Sequence, residues 1–509
     1  MLKKLLYFLC NYGFRQTFLL MLDRMFPPKK VRDKSDPELQ EGSPRFFVVE
    51  ALRDCVDHDS AALVAPDGDW TLCGNAGIRF CRGALRHIAG FLQKHPECGA
   101  LYFDSAIAAP DGKLSYELRP DFALEYLRSF DYCGKVIAVK SEFLREHPDI
   151  SNTELLLRAV ENGVNIGHVQ QVLYVHCGES DDVDNSNVIV EHLKRCGIAV
   201  DGITADSGSR RIKYAISGEP LISILIPNHN NCSVLKRCID SIIGKSSWRN
   251  FEIVIVENGS TESALFDYYR TLSQNCRIKV IDYPKKEAFN YSKINNFGVK
   301  HCSGEYILFL NNDTEVVTPG FMEEMLRFAQ MPDVGIVGAK LAYFDGSLQH
   351  GGIIVGMGSI AAHHSLRAAA DDAGYLNTLC SAREFSAVTF ACAMVRKSDF
   401  LSLGGLDESL GIAYNDVDFC LRMRNMGKRV IFTPYAELFH HESFSRGLDN
   451  TSAKQLRIAG EAARFEARHG EILENGDPFY NPNLSLSGKS FSLRGRVGRL
   501  KLIQRKKMS

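Results

Sequence analysis

GEYILFLNNDTEVV, residues 304–317, joins an uninterrupted apolar run to an acidic turn, and it determines how the surrounding chain is interpreted. The run at 306–310 is too short for a helix and predicts a buried strand. Asp313 follows the strand's carboxyl end, where ligands bind in sheets of parallel strands. By itself, an aspartate at this point is more often a turn or helix-cap residue than a metal ligand.

Strand and helix patterns alternate on both sides of this stretch. The other predicted strands are 221–226, 251–256, 278–281 and 334–339, and the predicted helices lie near 235–242, 261–273, 292–301 and 321–330. Such alternation predicts an α/β domain with a mostly parallel, Rossmann-like sheet.

Length and composition are those of an ordinary globular protein. The 509 residues suggest two domains, and the apolar share of 45% excludes a largely disordered chain. A net charge of -1 argues against nucleic acid as a partner. The 15 cysteines include no Cys-x-x-Cys pair, which favours free thiols in a cytoplasmic compartment and indicates no zinc site.

The N-terminus contains two apolar runs separated by residues 11–16, and each is too short for a membrane span or a signal peptide. Such a helix either lies on the inner membrane surface, as a peripheral contact, or packs against the protein, and both alternatives stay open. We expect an amphipathic and linker segment at 1–44, a first domain at 45–214, a second at 215–450, and a helical segment with a basic tail at 451–509.

An internal repeat links the two domains. KSEFL at 140–144 recurs as KSDFL at 397–401, and the spacing of the leucine-arginine pair, glycine and histidine that follow is the same in both halves. Extended upstream, the repeat aligns residues 67–69 with residues 311–313. The first copy is then truncated, because it lacks most of the βα units that precede this point in the second copy.

Two further groups carry chemistry. Asp416 and Asp418 stand at a predicted helix start, where an ionised aspartate could act as a general base and where helix capping is an equally good explanation. His440, after the strand RVIFT, could complete a metal site with Asp313. One histidine alone is usually structural, so the combination in one α/β domain carries the functional interpretation.

Two other patterns are rejected as cofactor sites. Gly356-Met-Gly-Ser-Ile-Ala361 resembles a dinucleotide-binding turn, but no helix and acid-bearing strand follow it. His363 and His364 have no companions at zinc spacing, which favours an exposed or substrate-facing loop pair. The polar, alanine-rich sequence from 356 through Asp372 is expected to be a mobile loop, and the acceptor region is expected to include 356–383.

These sequence blocks, taken together, resemble the family 2 glycosyltransferases with the GT-A nucleotide-diphospho-sugar transferase fold, notably rhamnosyltransferase-like members of bacterial polysaccharide assembly. The resemblance covers about 221–447 and rests on SILIPNHN, IVENGS, FNYSKINNFGVKHCSGEYILFLNNDTEV, AVTFACAMVRKSDFLSLGGLDE, YNDVDFCLRMRNMGKRVIFTPYAELFHHES and SRG. It implies a nucleotide-sugar donor and a divalent cation, Mg2+ or Mn2+.

The resemblance also implies roles for single residues. It assigns the nucleotide pocket to Pro227, Asn228 and Glu257, the surroundings of the donor diphosphate to Lys293 and Asn312, metal binding to Asp313 and His440, and the catalytic base of an inverting reaction to Asp416. Asp418 is expected to support the helix. The chain departs from the family at Asn311 and Glu257, where aspartate is common, and these departures predict a lower metal affinity.

The first domain resembles the C-terminal part of such a GT-A domain, as a truncated, degenerate α/β copy. Asn152 falls where Asp416 falls, and an amide cannot accept a proton as a carboxylate does. The sequence therefore predicts an active glycosyltransferase acting on a glycan or lipid-linked acceptor in the synthesis of O-antigen, capsule or exopolysaccharide. The alternative is an inactive sugar-nucleotide-binding scaffold of an assembly complex. Nucleotidyltransfer is disfavoured, because PNHNN at 227–231 is not a glycine-rich phosphate turn.

Overall fold

The computed structural model describes residues 46–48, 68–74, 77–148, 150–177, 184–206, 208–284, 289–441, 452–487 and 490–494. The predicted amphipathic N-terminal segment and the basic tail beyond Arg494 lie outside these residues. Within the described part of the chain, no helix combines the length and the apolar character that crossing a bilayer requires.

The first unit is built on a seven-stranded sheet with the order β1-β2-β6-β4-β7-β3, and β5 pairs with β4. Its elements are β1 (Phe46–Val48), β2 (Trp70–Gly74), β3 (Ile78–Phe80), α1 (Ala84–Lys94), β4 (Cys98–Ala108), β5 (Leu114–Glu117), α2 (Leu124–Ser129), β6 (Val136–Lys140), α3 (Ser141–Glu146), α4 (Asn152–Glu161), β7 (Asn165–Cys177) and α5 (Ser186–Arg195). An antiparallel hairpin, β8 (Val200–Asp206) and β9 (Ser209–Tyr214), leads into the second unit.

The second unit is built on a ten-stranded sheet with the order β12-β11-β10-β13-β20-β15-β21-β14, where β16 pairs with β15 and β19 with β21. Its strands are β10 (Ile222–Asn228), β11 (Phe251–Glu257), β12 (Ile278–Asp282), β13 (Tyr306–Leu310), β14 (Thr314–Val316), β15 (Val334–Ala342), β16 (Leu348–His350), β19 (Arg383–Glu384), β20 (Cys392–Arg396) and β21 (Arg429–His440). Its helices are α6 (Cys232–Lys245), α7 (Ser263–Leu272), α8 (Tyr291–Val299), α9 (Phe321–Ala329), α10 (Lys397–Ser402), α11 (Asn415–Asn425) and α12 (Ser452–Asn475).

The alternating pattern predicted around β13 is confirmed, because each strand and helix is found within a few residues of its expected limits. Strands β12, β11, β10 and β13 are parallel to one another. The remainder of the sheet is mixed, since β20 is antiparallel to both β13 and β15. The parallel half thus comes from local βα units, whereas the other half depends on pairing between distant segments.

Part of the region expected to be a loop is ordered into a hairpin. Strands β17 (Ile353–Val355) and β18 (Ala361–His363) pair antiparallel, and a short 3-10 turn follows at Tyr375–Asn377. The glycines at 356 and 358 lie in this hairpin's turn, where Gly356 N donates to Ile360 O at 2.6 Å. The turn therefore connects two strands of a hairpin, whereas a dinucleotide-binding turn would lead from a strand into a helix.

The two sheets share one strand order. The first sheet has the strand order β1, β2, β6, β4, β7 and β3. Six strands of the second sheet have the matching order β10, β13, β20, β15, β21 and β14, and the relative directions of neighbouring strands are the same in both sheets. His176 pairs with Ile78 as His440 pairs with Thr314, so Gly77 stands in the place of Asp313. The predicted alignment of residues 67–69 with 311–313 is wrong, because Asp69 precedes β2 instead of following it.

The two units are joined by a common hydrophobic core. A single cluster contains Tyr126 and Leu156 from the first unit together with Ile224 and Leu308 from the second. At its rim, Glu384 Oε1 accepts a hydrogen bond from the backbone N–H of Glu125 at 2.9 Å, so a side chain of the second unit binds the first turn of α2. The boundary near 214 therefore separates two sheets and leaves the core continuous.

Candidate active site

The carboxyl ends of β10, β11 and β13 meet at one edge of the second sheet, because these strands are parallel and adjacent. Pro227 and Asn228 end β10, Glu257 ends β11, and residues 311–313 follow β13. The sequence alone placed these side chains on separate motifs, and the sheet brings their strand ends together.

A chain of hydrogen bonds crosses this edge. Asn312 Nδ2 donates to Asn228 Oδ1 at 2.6 Å, and Asn228 Nδ2 donates to the hydroxyl of Tyr269 at 2.8 Å. The Tyr269 hydroxyl in turn donates to Glu257 Oε2 at 2.6 Å. Burial and the neighbouring Glu257 carboxylate raise the pKa of Tyr269, so the phenol stays neutral and keeps donating. Three of the predicted site residues are thus physically connected.

Glu257 also shapes the loop after β11. Its Oε2 accepts a hydrogen bond from Ser260 Oγ at 2.9 Å, and its Oε1 accepts one from the Ser260 backbone. A glutamate reaches the loop and Tyr269 at once, which gives a physical reason for the longer acid at this position.

Asp313 and His440 form the contact that the sequence predicted. His440 Nε2 lies 3.0 Å from Asp313 Oδ1, and both residues are buried. The pair arises because β14 and β21 are antiparallel with Thr314 opposite His440, which brings the residue before β14 to the last residue of β21. Residues 127 positions apart in sequence are therefore placed by strand register.

Gln349 fixes the imidazole of His440. Its Oε1 lies 2.6 Å from His440 Nδ1, and because a carboxamide oxygen only accepts, Nδ1 carries the proton. On the other side of the ring, Nε2 lies 3.0 Å from Asp313 Oδ1 and 3.2 Å from Asn311 Nδ2. Two acceptor atoms at 3.0 Å require a cation or a proton between them.

Lys293 lies in the first turn of α8, half-buried. Asn290 caps this helix, with its Oδ1 accepting from Lys293 N at 2.9 Å. The helix start is held from the other side, since Ser292 Oγ donates to Leu410 O at 2.6 Å and Tyr291 N donates to Gly411 O at 2.7 Å. These contacts join α8 to the segment that leads into α11.

Asp416 lies in the first turn of α11 and is half-buried. Its Oδ1 accepts from Val417 N at 2.9 Å, and Thr389 and the backbone of Phe390 also donate to the carboxylate. Burial raises the pKa of Asp416, and these hydrogen bonds oppose the rise without cancelling it. A base whose pKa moves towards the working pH is better matched to proton transfer than an ordinary aspartate.

The segment 389–391 connects Asp416 to the Asp313 region. Thr389 and Phe390 bind Asp416, and Ala391 O accepts from Asn311 N at 3.0 Å. The candidate base and the turn that carries Asp313 are therefore anchored on three consecutive residues.

Asp418, in contrast, is fully engaged by the protein. Arg422 Nε donates to Oδ2 at 2.8 Å, while Arg468 Nη1 and His469 Nε2 approach Oδ1 at 2.7 and 2.8 Å. Burial would raise the pKa of Asp418, but the bonds to His469, Arg422 and Arg468 outweigh it and lower the pKa to about 2. These contacts match the structural role expected for it.

The sequence suggested an exposed or substrate-facing pair at His363 and His364, but the structure shows that the pair is not exposed. His364 is fully buried and its Nε2 contacts Gly351 O, and burial lowers its pKa to about 3. His363 Nδ1 instead lies 2.8 Å from Nδ1 of His350, which sequence reasoning missed. The expectation of an exposed pair is wrong because β17 and β18 form a hairpin that turns His364 into the core.

A second group of possible metal ligands lies in the first unit, at Glu161, His192 and Cys196. His192 is already bound at both nitrogens, because Nδ1 lies 2.7 Å from Glu161 and Nε2 accepts from Arg128 Nε at 3.2 Å. Arg195 pairs with the same glutamate at 2.8 Å. The group is therefore satisfied as an ion-paired cluster.

Comparison with known sequences identifies part of the chain. Residues 223–401 match the profile "Glycosyl transferase family 2". This range includes Asn228, Glu257 and Asp313 and ends before Asp416 and His440.

Two curated relatives match most of the chain. It is 31% identical over 468 residues to the "Uncharacterized protein y4gI" of Sinorhizobium fredii, with 84% of this chain and 51% of that protein aligned. It is 31% identical over 499 residues to the "O-antigen biosynthesis protein RfbC" of Myxococcus xanthus, with 90% of this chain and 38% of that protein aligned. The chain thus spans about half of the first relative and less than two fifths of the second.

Two solved structures show a distant likeness. A mannosyltransferase from Pyrobaculum calidifontis in complex with GDP-Man and Mn2+ is 12% identical, with a TM-score of 0.37 over 57% of this chain and 70% of that one. GalNAc-T7 with UDP, GalNAc and Mn2+ is 15% identical, with a TM-score of 0.38 over 54% of each chain.

Proposed function

Residues 223–401 are a glycosyl transferase family 2 domain in a protein with the GT-A fold, and from that premise we propose that the chain is an inverting glycosyltransferase. It transfers a sugar from a nucleotide-sugar donor to a glycan or lipid-linked acceptor. The product belongs to a bacterial surface polysaccharide such as O-antigen, capsule or exopolysaccharide. Hexosyl transfer, with rhamnose as one candidate sugar, follows from the resemblance of the sequence blocks.

The contact between Asp313 and His440 carries this proposal. It lies at the edge where β10, β11 and β13 end, beside the hydrogen-bonded chain of Asn312, Asn228 and Glu257. Parallel α/β sheets bind ligands at this edge. A nucleoside would lie against Pro227, Asn228 and Glu257.

The donor set fits Mg2+ or Mn2+. Asp313 offers a carboxylate oxygen and His440 a neutral Nε2, held in that tautomer by Gln349. Asn311 contacts the same nitrogen through its amide, which can turn its oxygen instead. When bound, the cation would neutralise the charge that develops on the leaving diphosphate.

The remaining steps belong to side chains of this chain. Lys293 and Asn312 would hold the diphosphate, the lysine by its charge and the asparagine by its amide. Asp416 would take the proton from the acceptor hydroxyl as that oxygen attacks the anomeric carbon in line, opposite the departing nucleoside diphosphate. The result is inversion at the anomeric carbon.

The surface-polysaccharide role is supported by the relative named in O-antigen biosynthesis. The aligned part covers 38% of that protein, and the acceptor proposed for this chain is a glycan or a lipid-linked glycan. We propose that the reaction takes place on the cytoplasmic side, with the N-terminal segment as a peripheral contact to the inner membrane surface.

The first unit is proposed to be a degenerate copy that supports the second. The shared strand order favours duplication. The position of the metal-binding acid is Gly77, and the position of the base is Asn152 in the repeat. The histidine of this copy, His176, lies 3.1 Å from Glu117 Oε2, which is also bound by Arg119.

The test is release of nucleoside diphosphate from a panel of sugar nucleotides, with Mg2+ or Mn2+ and then with a chelator. Wild type is compared with Asp416→Asn and with Asp240→Asn, an exposed aspartate on α6. We expect metal-dependent release that falls by about 100- to 10,000-fold in Asp416→Asn and persists in the control. Donor binding without release from any sugar nucleotide, with or without glycan acceptors, would establish the scaffold alternative.

A further inference from the structure

Helix α12 begins beyond the range that matches the family profile, and one of its faces meets the segment that carries Asp416. Positions 461, 465, 468 and 469 are spaced by four, three and one residues, so they share a face of the helix. Each contacts the segment 407–418. The helix is therefore packed along the approach to the candidate base.

Glu461 holds the backbone of this approach with both carboxylate oxygens. Oε1 accepts from Gly411 N at 3.1 Å and Oε2 accepts from Ala413 N at 2.6 Å. The residue is 2% exposed, so water does not replace these bonds. A carboxylate accepts at both oxygens, whereas an amide of the same shape accepts at one and presents donors at the other.

The held segment contains a strained residue. Tyr414 has φ of 63°, in the left-handed region that non-glycine residues seldom adopt, and it directly precedes the first turn of α11. Its ring lies 5.7 Å from that of Phe465 on α12. Such a conformation persists when surrounding contacts determine it, and here Glu461 fixes the residue before it.

Two more contacts close the arrangement. On the far side, Gly411 O accepts from Tyr291 N at 2.7 Å, so the segment lies between α12 and α8. A Cβ at Gly411 would come within 2.9 Å of Asn290 Nδ2, which shows how closely the side chain of Asn290 packs against the Gly411 backbone. Within α11, Asp418 is tied to α12 through Arg468 and His469.

We propose that Glu461 is a positioning residue for the transfer reaction, holding Gly411 and Ala413 so that Asp416 faces the acceptor hydroxyl. This inference rests on the proposed function. It adds a requirement for Glu461, which lies outside the range that matches the family profile. Helix α12 does not supply any of the residues assigned to the donor.

Glu461→Gln tests the inference in the full-length protein, with Glu471→Gln as the matched control on an exposed part of the same helix. We expect Glu461→Gln to lower the kcat of sugar transfer by about 10- to 100-fold, since small misplacement of a catalytic group has effects of this size. The donor KM and the affinity for nucleoside diphosphate should change less than twofold. Glu471→Gln should behave as wild type.

Amide hydrogen exchange gives a readout that does not need turnover. The peptide containing Gly411 and Ala413 should exchange at least tenfold faster in Glu461→Gln than in wild type or Glu471→Gln, with the peptides of β10 and β13 unchanged. Arg468→Gln, at a half-exposed side chain that folding tolerates better, should show a smaller increase in the peptide containing Asp418.

The outcomes separate the two proposals. If wild type turns over no donor, the proposed function fails, while local exchange still decides whether Glu461 holds the segment. If kcat and exchange in Glu461→Gln equal those of the control, the positioning role is wrong. A parallel loss of donor affinity, melting temperature and kcat would likewise overturn it, because that pattern describes a residue needed only for folding.

Discussion

Among single side chains, Gln349 has the most direct influence on the proposed metal pair, because its oxygen sets the tautomer of His440. Gln349→Leu keeps the approximate size but removes the acceptor. We expect the Mn2+ concentration for half-maximal nucleoside diphosphate release to rise by about 10- to 100-fold, as is usual for the loss of such a supporting contact. Gln274→Leu, at an exposed position, is the control. An unchanged Mn2+ requirement would contradict a metal-orienting role.

Asp418 gives a prediction for stability instead of catalysis. Its pKa of about 2 lies below the ordinary value of about 3.9, so the folded state favours the ionised form. This stabilisation is present above the unfolded pKa and is lost as the pH falls through the folded pKa. The shift corresponds to about 2–3 kcal/mol at pH 7.

Urea unfolding of Asp418→Asn checks that expectation. The free energy of unfolding should fall by about 2–3 kcal/mol at pH 7 and by nearly as much at pH 4, and the difference should shrink between about pH 4 and 2. The exposed substitution Asp240→Asn should change stability by less than about 0.5 kcal/mol. A difference that stayed constant down to pH 2 would mean that the ion pairs are not its source.

The residues named from the sequence were those at or after the end of an apolar strand, or at the start of a helix. Asn228, Asp313 and His440 have that signal, and the structure brings them to one edge. Tyr269 and Gln349 do not, because each lies inside a helix or strand whose pattern reports only burial. Their roles depend on which distant side chain faces them, and no local spacing encodes that.

Among elements, β15 shows how tightly the sheet is coupled to the base. A Cβ added at Gly338 would lie 2.5 Å from Cβ of Val388, the residue before Thr389, which donates to Asp416. Gly338→Ala should therefore lower stability by about 1–3 kcal/mol, as overpacking does, and should also lower kcat. The measurement is urea unfolding together with the kcat of transfer.

Gly244→Ala is the matched control for that substitution. An added Cβ at Gly244 on α6 meets no atom within 4 Å, and alanine is the better helix former. This variant should be as stable as wild type or slightly more stable, with unchanged kcat. If both alanines behaved alike, close packing between β15 and Val388 would not be what positions the segment.

The parallel half of the second sheet could be predicted because each βα unit carries its own period and its own short connection. The mixed half could not, since β20 is inserted between β13 and β15, and β14 pairs with the distant β21. Likewise, the segment from 356 through Asp372 is polar and rich in alanine, which indicated a loop. Its hairpin is stabilised by Asp477, whose Oδ2 accepts from Val355 N at 2.8 Å.

At the scale of the whole molecule, the repeat in the sequence indicated two related units, and the order of the two sheets agrees with that relation. The way the units join could not be read from either repeat, because it depends on surfaces that differ between them. At this junction Glu125 is buried and lies near Arg128 and Arg429. The Glu384 carboxylate accepts a hydrogen bond from the backbone at the start of α2. Burial raises the pKa of Glu125, although both arginines oppose the rise.

This junction predicts that the second unit depends on the first unit for folding. A fragment of residues 215–509 would expose the shared core to water and leave the half-buried Arg429 and the buried Glu384 without Glu125 and the α2 backbone. Asn481, which donates to Asp104 at 2.9 Å, would also lose its partner. We expect this fragment to aggregate or to unfold at least about 10 °C below the full chain.

Coexpression with residues 1–214 should restore a 1:1 complex with nucleoside diphosphate release, measured by size-exclusion chromatography and the donor assay. The fragment of residues 215–509 could instead stay monomeric and be as stable and as active as the full chain. That result would show that the first unit is an independent domain and that the continuous core contributes little to the stability of the second unit.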